Sequence, residues 1–247
     1  MAVLHTEMVD IPSPGGSIRA LLARPRRPRG PLPVVVAYPD IFQLTPPHER
    51  VIHRLAGYGF AVLAPELYGR FEPPGTPLDF DRDRQRALDD AARLRVAWID
   101  EDQRAALAFA RSLPGVDGQR LGVCGWCFGG HLAFRAALAP EVRAAACFYA
   151  TGVHSGELGA DKGVDTLARA GEIRGEVLLV WGLQDPHIPA PGRAVIHRAL
   201  ESAGVRHEFR AYDAEHAFMR DVGPRFDPEA TDRAFAAMID LFTRALG

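Results

Sequence analysis

The chain has 247 residues, 47% of them apolar and 24% charged, and a formal net charge of −2. That balance describes a soluble globular protein with a sizeable core. It excludes a surface whose bulk charge would draw nucleic acid or an anionic membrane. The basic run Arg24-Pro25-Arg26-Arg27-Pro28-Arg29 is broken by prolines and reads as a solvated loop.

The opening reads as an antiparallel hairpin, with His5 to Ile11 and Ile18 to Ala23 flanking a Ser13-Pro14-Gly15-Gly16 turn. Short apolar runs follow at Val34 to Ala37, Phe60 to Leu63, Leu121 to Cys124, Ala144 to Tyr149 and Val177 to Trp181. They lack alternation, as strands covered on both faces do. His207 to Tyr212 is more polar and suits a sheet edge. Helical patterns lie between: Arg50 to Ala56, one long segment from about Asp83 to Leu113, Gly192 to Gly204, and Asp227 to Leu246. Strands alternating with helices predict βαβ crossovers and a doubly wound, mostly parallel sheet with helices on both faces. Phe71 to Pro77 is a Pro/Gly-rich loop within the domain. No repeat or second boundary interrupts residues 1–247, so a single domain is expected.

No stretch approaches the ~18 apolar residues of a membrane span. The segment Met1 to Glu7 has no leader pattern. Three cysteines do not make a disulfide framework, which points to a reducing cytoplasm.

Six residues carry the chemistry: Gly125-Trp126-Cys127-Phe128-Gly129-Gly130. They stand between the strand pattern Leu121 to Cys124 and the helical pattern His131 to Leu138. Strand, sharp turn and helix, with a nucleophile between glycines, is the nucleophile elbow of the α/β-hydrolase fold. The nucleophile position holds cysteine where serine is usual. A cysteine attacks as thiolate and needs a base or a lowered pKa. The following helix points its positive end at the sulfur, and the Phe128 N–H is placed to bind a developing oxyanion. In this fold the acid and the histidine follow the nucleophile in that order. Asp185 and His216 each stand just after a predicted strand, where active sites of open parallel sheets form. The expected roles are attack by Cys127, proton transfer by His216 and orientation of its ring by Asp185. No His-Glu-x-x-His motif is present, and His48 and His53 are five apart, so neither a metal nor a cofactor is expected. Cys124-Gly125-Trp126-Cys127 also spells C-x-x-C, a redox signature. Cys124 falls inside the apolar strand, whereas a thioredoxin-like site exposes its first cysteine. Cys147 reads as core.

With these residues the sequence resembles the dienelactone hydrolase (carboxymethylenebutenolidase) family, whose members carry G-x-C-x-G-G at the elbow and a Cys-Asp-His triad. The resemblance covers nearly the whole chain. It is most specific at Gly125 to Gly130, Pro39-Asp40-Ile41-Phe42, Pro65-Glu66-Leu67-Tyr68 and His216-Ala217-Phe218. It implies the same triad, Cys127, Asp185 and His216. It also implies that Asp40 fills the place of a thiol-activating carboxylate, usually glutamate, and that Ile41 offers a second oxyanion-hole N–H. Gln43 stands where the family often has glycine. Two arginines bind a substrate carboxylate in dienelactone-cleaving members. Here they correspond to Arg220 and to Arg86, with Arg84 as second choice for the latter. Arginine suits the task because its planar fork pairs a carboxylate in two parallel hydrogen bonds.

The expected activity is cysteine-dependent opening of a small anionic lactone or ester, of the dienelactone-to-maleylacetate type, through a thioester. A broader esterase or thioesterase on the same fold is the nearest alternative. A thiol redox protein using Cys124 and Cys127 is the remote one. Nothing in the sequence selects between a monomer and a small homo-oligomer.

Overall fold

A computed structural model describes residues 3–247; Met1 and Ala2, the first residues of the Met1 to Glu7 segment, lie outside the described residues. Ten strands and six α-helices follow in chain order: β1 (Leu4–Ser13), β2 (Gly16–Pro25), β3 (Leu32–Tyr38), α1 (Pro46–Gly57), β4 (Ala61–Pro65), α2 (Arg84–Arg93), α3 (Val96–Ser112), β5 (Val116–Trp126), α4 (Phe128–Ala136), β6 (Val142–Phe148), β7 (Glu157–Leu158), β8 (Asp161–Lys162), β9 (Glu176–Gly182), α5 (Ala190–Ser202), β10 (Arg206–Tyr212) and α6 (Pro228–Leu246).

Eight strands form one sheet in the order β1-β2-β4-β3-β5-β6-β9-β10. The β1–β2 and β2–β4 pairs are antiparallel, and every pair from β4 to β10 is parallel. The chain passes from β3 through α1 to β4 in one direction along the sheet and from β5 through α4 to β6 in the other, and such parallel crossovers are right-handed. That reversal puts α1 and α4 on opposite faces. This is the α/β-hydrolase architecture, with β5 at the centre and the elbow at its carboxyl end. The runs Val34 to Ala37, Ala61 to Ala64 and Val177 to Val180 are buried throughout, as two-sided cover requires. β10 is the half-exposed edge that its polar pattern predicts. No helix among the described residues is long and apolar enough to cross a membrane.

One element departs from the sequence expectation. The long helix expected from Asp83 to Leu113 is two helices, broken at Leu94 and Arg95, both extended (ψ 133° and 142°). The break is tertiary in origin. Leu94 is buried, and its carbonyl accepts from Ala160 N–H at 2.7 Å. The Asp161 carboxylate accepts from Val96 N–H at 2.7 Å and thereby caps α3. Both partners come from the small β7–β8 ribbon, which sequence pattern did not reveal.

Candidate active site

The elbow is built by steric exclusion. A Cβ on Gly125 would collide with the Gly129 carbonyl oxygen, and one on Gly129 with the Tyr38 and Pro39 carbonyl oxygens. A Cβ on Gly130 would come within 2.7 Å of Phe148 O. Only glycine lets α4 begin this close to β3 and β6. Cys127 takes the strained position itself, at φ 57° and ψ −118°. Its N–H donates to Phe148 O (3.0 Å), and its carbonyl accepts from Gly130 and Thr151 N–H (3.0 and 3.2 Å). Those bonds over-determine a conformation that alone costs about 1–3 kcal/mol. They leave the thiol half-buried at the amino end of α4, where the helix dipole favours negative charge.

Asp185 and His216 meet beyond β9 and β10. His216 Nδ1 lies 2.7 Å from Asp185 Oδ2, and both residues are buried. Asp185 Oδ1 accepts the His187 backbone N–H (2.8 Å), which fixes the carboxylate. Burial alone would lower the His216 pKa. Charge on Cys127 and hydrogen bonds with Asp185 and Cys127 outweigh it, and the value is pushed up to about 10. Such an imidazole can take the thiol proton and keep it while the sulfur is negative. Tyr149, at φ 37°, packs its ring edge-on against His216 (5.1 Å between centroids).

A second charged pair adjoins the elbow. Asp40 is buried; its Oδ1 accepts from Phe42 N–H (2.8 Å) and its Oδ2 from Arg220 Nη2 (3.2 Å). No hydrogen bond joins it to Cys127. Arg220 lies over the Phe80 ring (3.8 Å), and its Nε is buried without a partner among the described residues. The N–H groups of Ile41 and Phe128 meet no acceptor among the described residues. Both are therefore open to an oxyanion.

The model of the dienelactone hydrolase family matches residues 18–246. The chain belongs to that family. It is 34% identical over 233 residues to a Saccharomyces cerevisiae protein named "Putative carboxymethylenebutenolidase", covering 89% of this chain and 82% of that one. It is 32% identical over 234 residues to a Pseudomonas sp. carboxymethylenebutenolidase, covering 93% and 91%. The crystal structure titled "Putative Dienelactone Hydrolase" from Klebsiella pneumoniae superposes with a TM-score of 0.83 at 27% identity, over 98% of this chain and 99% of that one. As a member of the dienelactone hydrolase family the chain is a carboxylic ester hydrolase.

Not every residue named from this family's pattern comes to the cluster of Cys127, Asp185 and His216. Arg86 is held by Glu72 through Nε (2.8 Å) and Nη2, with its side chain 47% exposed. The α2 arginine whose charge reaches His187 is Arg84, which is exposed. Gln43, in place of the family's frequent glycine, keeps the left-handed backbone glycine would take (φ 67°). Its buried side chain bonds Leu67 N–H (2.9 Å), Tyr68 N–H (3.3 Å) and Thr76 O (3.0 Å). Tyr68 in turn donates to Ile41 O (3.0 Å). These bonds tie the loop after β4 to the segment that presents the Ile41 N–H. His48 adds a brace, because its Nε2 accepts from Asp40 N–H (3.3 Å) and burial keeps its pKa low. Sequence reasoning missed Tyr149, His48 and the bracing role of Gln43. The signals available were the ends of β6 and β3, which adjoin the elbow strand. Cys124 is fully buried in β5, and burial pushes its thiol pKa well up.

Proposed function

We propose that the chain is a single-domain, cysteine-dependent hydrolase that opens a small anionic lactone or ester of the dienelactone-to-maleylacetate type. The observation that carries this reading is Cys127 at the elbow, within reach of His216 of the buried Asp185–His216 pair. The Cys127 thiolate attacks the substrate carbonyl carbon, and the carbonyl π electrons pass to oxygen. The N–H groups of Ile41 and Phe128 hold that oxyanion. Its collapse breaks the C–O bond, and the enolate or alkoxide leaves with the proton from His216. Water then attacks the thioester and gives its proton to His216, and the C–S bond breaks to restore the thiolate. Asp185 holds the ring throughout. No cofactor enters these steps.

Arg220 supports an anionic substrate. Among the described residues its buried Nε has no partner and its only carboxylate is Asp40. A substrate carboxylate competes with Asp40 for that guanidinium, and the displaced Asp40 is the group nearest in role to a thiol activator. A reducing, cytoplasmic setting fits a nucleophile that must stay a free thiol. One observation favours the broader esterase reading: Arg86 is engaged by Glu72, so one arginine of the expected clamp is not free. A buried Cys124 speaks against the redox reading.

The test is acid-quenched mass spectrometry of enzyme mixed with dienelactone. An acyl adduct on the peptide carrying Cys127, absent from Cys127→Ala and accumulating in His216→Gln, is the expected result. Turnover with the adduct elsewhere, or full activity in Cys127→Ala, would sink the proposal. Comparing kcat/KM for dienelactone and a neutral aryl ester decides between the anionic and the broader substrate class.

A further inference from the structure

The loop between β9 and α5 carries a metal-ligating side chain that hydrolysis leaves unused. His187 follows Asp185 by two residues, and its backbone N–H bond to Asp185 Oδ1 (2.8 Å) folds the Asp185-Pro186-His187 turn back on the carboxylate. The His187 ring meets the His216 ring edge-on, with 4.7 Å between centroids and 73° between planes. The residue is exposed, and its ring nitrogens bond no protein atom among the described residues.

One ligand atom each from Asp185, His187 and His216 lies within 4.8 Å of the other two. Zinc held tetrahedrally at about 2.0–2.1 Å separates its ligands by about 3.4 Å. Closing the set around an ion draws the widest pair in by about 1.4 Å, which rotation of the exposed His187 side chain can supply, and opens the 2.7 Å contact of His216 Nδ1 with Asp185 Oδ2 by about 0.7 Å. Two imidazoles and a carboxylate suit zinc and its first-row neighbours, whereas magnesium and calcium take all-oxygen sets. Asp185 brings negative charge to the cluster. The charges of Arg225 and Arg84 reach His187 and oppose a cation there.

We propose that Asp185, His187 and His216 form an inhibitory site for a zinc-class divalent ion, reached from solvent past His187. The consequence rests on the hydrolytic reading: an ion on the His216 imidazole releases its proton to solvent and removes the group that moves protons at Cys127. The binding itself does not rest on that reading. The sequence hides the site because His216 stands 29 residues beyond His187 and no ligand-spacing motif joins them.

The experiment titrates zinc into the full chain, cleared of metal with EDTA, in competition with a chromophoric chelator, and in parallel follows hydrolysis of a neutral aryl ester. One zinc per chain is expected, with activity lost as the site fills and restored by EDTA. His187→Ala binds zinc roughly tenfold or more weakly, and its own ester hydrolysis is no longer suppressed at the zinc level that silences the wild type. Cys127→Ser still binds one zinc, because the sulfur is not in the set. Wild-type affinity and inhibition in His187→Ala, or loss of binding in Cys127→Ser, would place the ion on the Cys127–His216 pair and overturn the proposal. So would the absence of stoichiometric binding by the wild-type chain. Zinc binding that depends on His187 in a chain that hydrolyses no ester would uphold the site and refute the hydrolytic reading instead.

Discussion

Asp40 and Arg220 are two halves of one ion pair, and cutting each half should move substrate affinity in opposite directions. Arg220 Nη2 bonds Asp40 Oδ2 at 3.2 Å, with the side chains 21% and 5% exposed. A substrate carboxylate on this guanidinium gains charge-assisted bonds from Nη2 and the unpartnered Nε. After loss of solvation that is about 2–3 kcal/mol, roughly 30- to 150-fold in affinity. Arg220→Ala should therefore raise KM for dienelactone by that factor and leave a neutral aryl ester nearly unchanged. Asp40→Asn removes the competing charge. A part-exposed pair is worth about 0.5–1 kcal/mol, so KM for the anionic substrate should fall about two- to fivefold. If Asp40 also helps to activate the thiol, kcat falls in the same variant while KM improves. Stability supplies a control, because Arg220→Ala leaves a buried carboxylate with one backbone donor. Urea unfolding should show a loss of about 1–3 kcal/mol, discounted for the exposure of Arg220, and Asp40→Asn added to it should restore most of that loss. If both single variants raise KM alike, or Arg220→Ala weakens both substrates equally, the pair is a structural brace and the argument fails.

Other expectations follow from the same geometry. Gln43→Ala keeps the left-handed strain and leaves two backbone N–H groups unpaired, for a loss of about 2–4 kcal/mol. Gln43→Gly loses the same bonds but relieves about 1 kcal/mol of strain, so it should denature at higher urea than the alanine variant. Cys127→Gly should likewise be more stable than Cys127→Ala, by about 1 kcal/mol, because φ 57° and ψ −118° suit glycine; equal midpoints would show an unstrained elbow. The His216 pKa is raised from 6.5 to about 10. Its stabilisation is therefore fully present below about pH 6.5 and lost as pH rises through about 10, on the order of a few kcal/mol in all. The Tm gap between wild type and His216→Gln should shrink across that window, and a constant gap would contradict the assignment of the shift.

The fold was legible because its signals are local. Buried parallel strands announce themselves as runs such as Val34 to Ala37. The elbow does so because Gly125, Gly129 and Gly130 each stand where a Cβ would strike backbone. Asp185 and His216 could be named because the fold fixes their order and their places at strand ends, and the two side chains do meet. Legibility ended where a residue depends on a distant partner. The helix break at Leu94 is made by Ala160 and Asp161, from a ribbon with no sequence signature. Arg86 and Arg84 look alike in sequence, yet one is taken by Glu72 and the other is exposed near His187. Asp40 and Arg220 lie 180 residues apart, and Gln43 reaches the loop after β4 across 24 or more. By itself the sequence determined the sheet, the elbow and the order of the chemical groups, because dihedral preference and hydrophobic period act over a few residues. Only the tertiary structure decided which charges pair at the mouth of the site, because those pairs form between loops that the sheet brings together from opposite ends of the chain.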